Sequence, residues 1–224
     1  MELYTWSKPN KSEDSIPIKS KLNTGVTFII GPNGSGKTTY LKQLASIFKN
    51  KNVSKWESIK ENSKIENKYD SFYYNNVTEE KFAKQNWLDR GDSFLFAASF
   101  ENSEGQDMYD FLIDKVGDIG ACVKKAKDSN KKGVFILLDG LDSGLSIDIL
   151  NKLKVELFDF IIQEELKDDF EVYVLVSANS YEMVEGNYDC LDIRNMNTVR
   201  FKSYDDYKNY YLNNMEVNNN ESND

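Results

Sequence analysis

At 224 residues, 40% hydrophobic and 29% charged, the chain is long enough to bury one good-sized core. Its net charge of −9 argues against a general affinity for nucleic acid, and the lysines around 42–68 and 124–132 read as solvated faces. Histidine is absent, which removes Ser-His-Asp and Cys-His catalysis and histidine-ligated zinc.

Met1 to Trp6 alternates as an edge strand does, and Ile16 to Leu22 reads as a second strand after the polar stretch 10–15. Val26 to Ile30 is an apolar, β-branched run suited to a buried strand. It leads straight into Gly31-Pro32-Asn33-Gly34-Ser35-Gly36-Lys37-Thr38-Thr39, followed by the helix-like segment 40–45. The pattern G-x-x-x-x-G-K-[ST] between strand and helix has a physical reason at each position. Its glycines let backbone N–H groups curl around phosphates, Lys37 reaches the β- and γ-phosphates, and the Thr38 hydroxyl is a ligand for Mg²⁺. This loop predicts a nucleoside triphosphate site.

Further along, the polar stretch 50–68 reads as a loop or a mobile helical excursion, Phe72 to Tyr74 is a short aromatic strand, and Phe94 to Phe100 is an apolar strand or buried helical turn. From Asp107 the apolar residues Met108, Phe111, Leu112, Val116, Ile119, Cys122 and Val123 recur at helical spacing. Gly133 ends that helix and opens the apolar strand Val134 to Leu138, closed by Asp139. An aspartate there, with a phosphate loop upstream, is placed to hold the magnesium of the triphosphate. Ile147 to Leu166 is amphipathic, Val172 to Val176 is a further buried strand, and the Asn/Glu-rich residues 214–224 read as a disordered tail on a single domain, 1–213. Strands alternating with helices around a phosphate loop predict an α/β fold with a largely parallel sheet.

The cysteines, Cys122 and Cys190, lack metal-ligand spacing and suit a reducing compartment. No apolar run approaches the ~18 residues of a membrane span and no signal-peptide pattern opens the chain, so a cytoplasmic location without membrane insertion is expected.

Taken in order, these motifs resemble the ABC-type P-loop ATPases, including their soluble SMC, RecF and SbcC-like branch. GPNGSGKTT is the phosphate loop typical of that family. Gly140-Leu141-Asp142-Ser143-Gly144-Leu145-Ser146 after Asp139 is similar to its Walker B and D-loop, and Asn102-Ser103-Glu104-Gly105-Gln106 is similar to its signature L-S-G-G-Q. The resemblance implies a P-loop NTPase fold with antiparallel N-terminal strands and a small helical insertion. It also implies ATP and Mg²⁺ as ligands and an ATP-dependent, head-to-tail homodimer in which Ser103 and Gly105 complete the partner's site. Thr38 and Asp139 would hold the metal. The work done would be on DNA or on a protein partner; a transporter's nucleotide-binding subunit is the alternative. The stretch from Lys37 to Ser103 is too short for coiled-coil arms.

Departures from the family pattern matter equally. Gly140 stands where the family has its catalytic glutamate, and glycine can neither orient nor deprotonate water. Asp142 is the nearby candidate substitute. Asn179 or Ala178 falls at the switch-histidine position, and asparagine can hydrogen-bond a phosphate without proton chemistry. Asn75, with Gln85 behind it, is the candidate for the Q-loop, and Tyr4 or Trp6 for stacking on adenine. These losses imply slow hydrolysis, or a nucleotide-gated switch that chiefly binds.

Overall fold

The computed structural model describes residues 1–7, 16–48, 62, 65, 67–75, 104–142, 145–159 and 169–220, with the backbone alone at 104–114, 159 and 214–220. Ser103 and the D-loop residues Ser143 and Gly144 lie outside the described residues, as do the apolar stretch 94–100 and Gln85.

Two N-terminal strands, β1 (Glu2–Trp6) and β2 (Pro17–Lys21), pair antiparallel in a small sheet of their own. The main sheet is built from β3 (Gly25–Ile30), β4 (Tyr69–Asn75), β5 (Gly133–Asp139), β6 (Glu171–Ser177), β7 (Asp189–Asp192) and β8 (Asn197–Val199). Their order is β4-β5-β6-β3-β7-β8; every pairing is parallel except that of β7 with the edge strand β8. The helices are α1 (Lys37–Phe48), α2 (Glu104–Asp128), α3 (Ile147–Leu153), α4 (Tyr181–Val184) and α5 (Tyr204–Asn220). A π-helical turn, Lys154–Asp159, continues α3.

The central strands β3, β5 and β6 are apolar at nearly every position because both faces of the sheet are covered. On one face Val26, Phe28, Val134, Ile136, Val174 and Val176 pack with Ile119 and Val123 of α2 and Leu150 and Leu153 of α3. On the other, Ile29, Phe135, Leu137 and Leu175 meet Tyr40, Leu41 and Leu44 of α1, together with Leu3 and Leu22 from the small sheet. Each fully buried Phe, Leu or Ile contributes about 1.5–3 kcal/mol by leaving water, so these two layers dominate the stability of the fold.

The mixed α/β architecture, the mostly parallel sheet and the antiparallel N-terminal pair agree with the sequence reading. Three places differ. The strand expected over Phe72–Tyr74 runs the full length of its neighbour, Tyr69↔Gly133 to Asn75↔Asp139, because pairing with β5 extends it past its aromatic centre. Strands β7 and β8 were not anticipated; each is short and polar at its ends, and β7 is a strand by virtue of its pairing with β3. Helix α5, Tyr204–Asn220, was likewise not anticipated. Once a helix is nucleated, each further residue adds a backbone hydrogen bond for only two dihedrals fixed, so a poor helix-forming composition does not stop it at once.

At the opposite end of the sheet from the phosphate loop, Glu171 accepts hydrogen bonds from the hydroxyls of Tyr69 (2.6 Å) and Tyr173 (3.0 Å) and pairs with Lys132 at 2.6 Å. Burial draws its carboxyl pKa upward, but these three donors overcome it and hold the group below its ordinary 4.5. The stabilisation is therefore complete above that unfolded value and is lost as pH falls through the lower folded one. Glu171→Gln should cost roughly 1 kcal/mol at pH 7, and the gap in melting temperature between variant and wild type should narrow as pH falls below the ordinary carboxylate range. Thermal denaturation across that pH range checks both.

Candidate nucleotide site at the strand ends

All the candidate residues that the structure describes, apart from Gly105 and the adenine candidates, gather at the C-terminal edge of the parallel sheet. Crevices for ligands open at this edge in such folds, because successive strand ends present their loops there. Residues 31–36 form the turn between β3 and α1, and Thr38 and Thr39 lie in the first turn of that helix. Gly31 must be glycine for two reasons. Its φ is +147°, and a Cβ there would sit 2.6 Å from Ser35 Oγ and 2.8 Å from Ile193 Cγ2.

Lys37 is buried, and its ammonium donates back to the loop's own carbonyls, to Gly31 O at 2.7 Å and Pro32 O at 3.2 Å. Burial lowers its pKa from the usual lysine value, opposed by the negative charges of Asp142 and Asp139. Ser35 Oγ is enclosed and has no hydrogen-bond partner among the described residues. A pre-curled loop with a buried ammonium and an orphaned hydroxyl fits a phosphate chain, whose oxygens supply the missing acceptor.

Asp139 closes β5 and is almost wholly buried. Its Oδ1 accepts from Thr38 Oγ1 at 3.2 Å and from Ser177 Oγ at 2.7 Å, and its Oδ2 from Asn75 Nδ2 at 2.6 Å. Ser177 Oγ in turn accepts the Gly140 N–H at 2.7 Å. A hydroxyl facing a carboxylate is an all-oxygen donor pair, the kind Mg²⁺ takes when phosphate and water complete its shell. No cluster of three or more His, Cys, Asp or Glu able to hold a metal occurs among the described residues.

The two candidate catalytic residues meet directly. Asp142 Oδ2 accepts the backbone N–H groups of Asn179 (2.5 Å) and Ser180 (3.1 Å), while Oδ1 accepts Asn179 Nδ2 at 2.9 Å. Position 140 itself has φ +76°, a backbone state natural to glycine.

Other candidates lie elsewhere. Gly105 is in the first turn of α2, which starts inside the signature-like stretch, at Glu104. Tyr4 and Trp6 are half-buried on β1, whose backbone is held by Asn62 and Gln43. Sequence reasoning missed Ser177, although its place at the end of the strand beside β5 was a usable signal. It also missed Tyr211 of α5, whose hydroxyl accepts the Gly31 N–H at 2.9 Å across 180 residues of sequence. No local pattern marks that contact.

No protein-family model matches the sequence, and no curated protein does. Among solved structures, the chain is similar to a protein described as a cobalt transport ATP-binding protein, cbiO-2. That match has 15% identity over 86% of this chain and 74% of the other, with a TM-score of 0.32. It is also similar to the ATP-binding cassette MJ0796, a dimer in a post-hydrolysis state with ADP and phosphate, at 14% identity over 91% and 100% of the two chains and a TM-score of 0.34. At these scores neither likeness carries an argument, and the reading below stands on the chain's own geometry.

Ser177→Ala strips Asp139 of one donor and leaves the Gly140 N–H unpaired. It should destabilise the protein by about 1–3 kcal/mol, more than a typical surface serine, with chemical denaturation as the check.

Proposed function

We propose that this chain is an ABC-type ATPase that binds ATP with Mg²⁺ and hydrolyses it slowly. The observation that carries the reading is the meeting of the Thr38 hydroxyl with the Asp139 carboxylate beside a glycine loop that holds a buried lysine. Strand, loop, helix and second strand each deliver one part of a triphosphate site.

In this reading the backbone N–H groups that follow Pro32 in the loop and open α1 cradle the phosphates. Lys37 exchanges the Gly31 and Pro32 carbonyls for β- and γ-phosphate oxygens, so its buried charge finds a better partner than a neutral carbonyl. Thr38 and Asp139 hold Mg²⁺, which when bound supplies charge neutralisation to the transferring phosphoryl group. Asn75 and Ser177 fix the Asp139 carboxylate so that only its remaining lone pairs face the metal.

Asp142 and Asn179 act on the attacking water, but weakly. Three of the roughly four lone-pair sites of the Asp142 carboxylate are already taken by N–H donors, so it is better placed to orient a water than to strip it of a proton. Positioning and charge stabilisation account for most of phosphoryl-transfer catalysis, so such a site still turns over. Ser103 and Gly105 complete the γ-phosphate contacts across a head-to-tail homodimer of the soluble SMC/RecF/SbcC-like kind, which acts on DNA or on a protein partner.

One observation favours a second reading, a nucleotide-gated interaction module without turnover: position 140 offers no side chain to the water. ATP turnover with Mg²⁺, followed beside mass by light scattering, separates the two. The first reading expects slow turnover, ATP-dependent dimers, loss of both in Lys37→Ala, and a fall of at least about tenfold in kcat for Asp142→Asn. Dimers without turnover select the second. Absence of ATP binding sinks both.

A further inference from the structure

Helix α5 crosses the mouth of the phosphate loop and is bolted there. Asp192 ends β7, pairs in register with Ile30, and is fully buried. It accepts Arg194 Nε at 3.0 Å and Nη2 at 2.5 Å, and the Tyr210 hydroxyl at 2.8 Å. The Arg194 guanidinium lies over the rings of Tyr210 (5.9 Å) and Tyr211 (5.4 Å). Phe201 packs edge-on against Tyr207 and Tyr210, and Tyr181 of α4 lies against Tyr207. These contacts place one face of α5 beside the loop and leave a cleft of about 350 Å³ between them.

The walls of that cleft are largely apolar, Pro32, Tyr204 and Leu212 among them, with a few polar groups set into them. Asn33 and Asn179 line it from the strand ends, and Tyr207, Lys208 and Tyr211 line it from the helix. Lys208 is exposed and has no ion pair among the described residues. The Tyr211 oxygen accepts the Gly31 N–H at 2.9 Å, which leaves its own proton to turn toward another acceptor. Of the nearby carboxylates, Asp142 is engaged by Asn179 and Ser180, Asp192 by Arg194 and Asp206 by the Lys202 N–H, while the exposed Asp205 lies one turn before Lys208 on the same helix. A free ammonium and a free phenolic proton facing an open cleft suit an anion carrying several oxygens, and the space holds a phosphoryl group with waters.

The geometry points to α5 as a lid that reads the terminal phosphate of the bound nucleotide, with Lys208 and Tyr211 as its binding residues. This rests on the ATP-site reading above and adds to it: a helix of the same chain supplies contacts to a triphosphate that a diphosphate cannot make. The cleft adjoins Asn33 and Asn179, and Asn179 is hydrogen-bonded to Asp142. A nucleoside diphosphate would leave Lys208 and the Tyr211 proton facing water, so the two ligands differ in affinity through these groups.

The test is calorimetric titration of the full chain with Mg²⁺, using ADP and the non-hydrolysable β,γ-imido analogue of ATP. Wild type, Tyr211→Phe, Lys208→Ala and Lys208→Arg are compared, with melting temperatures as a check on folding. Wild type should prefer the triphosphate analogue. In Tyr211→Phe and Lys208→Ala that preference should shrink about tenfold, chiefly by weakening the analogue, while Lys208→Arg retains it. A preference unchanged in either variant overturns the assignment for that residue, since a purely structural role weakens both ligands alike. Tighter binding of both nucleotides in the variants would overturn the lid reading and make α5 an obstruction. If wild type binds neither nucleotide, the ATP-site reading falls and the lid with it. If it binds both equally, only the lid falls.

Discussion

A buried carboxylate that must be hydrogen-bonded organises this molecule. Asp139 sits at the end of a fully apolar strand, where an unpaired charge would cost several kcal/mol. Its three side-chain donors come from three different elements: Thr38 from α1, Asn75 from β4 and Ser177 from β6. Satisfying one charge therefore aligns the ends of neighbouring parallel strands and draws the phosphate-loop helix against them. The alignment also places Gly140 and Asp142 beside the loop after β6, where Asp142 gathers a second set of N–H donors.

How much of this is legible in the chain depends on the range of the signal. Val26 to Ile30 and Val134 to Leu138 declare buried strands because each is continuously apolar, and the glycine loop between strand and helix declares its ligand class through its own spacing. Asp139, Asp142 and Asn179 are nameable as candidate site residues for the same local reason. Their contacts are not. The pairing of Asp142 with Asn179 depends on β5 lying next to β6, and the contact of Tyr211 with Gly31 depends on where a whole helix lands. Strands β7 and β8 carry little pattern because pairing, rather than composition, makes them strands.

Tyrosine is abundant in this chain, with 13 residues, and α5 puts several to work that leucine could not do. Tyr207, Tyr210 and Tyr211 bury rings against Phe201, Tyr181 and Arg194, while the hydroxyls of Tyr210 and Tyr211 reach Asp192 and Gly31. Each ring thus supplies apolar area and a directed polar contact together, which fixes a helix over a polar loop without a continuous hydrophobic seam. Among the described residues the elements facing the loop are held by hydrogen bonds as much as by packing, in contrast with the apolar faces of the sheet.

Position 140 has a consequence for the history open to this protein. Its φ of +76° and its N–H bond to Ser177 set the turn that carries the chain from Asp139 to Asp142. A glutamate there would meet a backbone state that costs a residue with a β-carbon roughly 1–2 kcal/mol, and relaxing the turn would disturb the Ser177 and Asp142 contacts together. The step toward a stronger base is thus not a single exchange of side chains but a rebuilding of the turn. On the proposed ATPase reading, selection for faster chemistry would have to recruit a group from another element, and selection for a slow clock would find this backbone already in its favour.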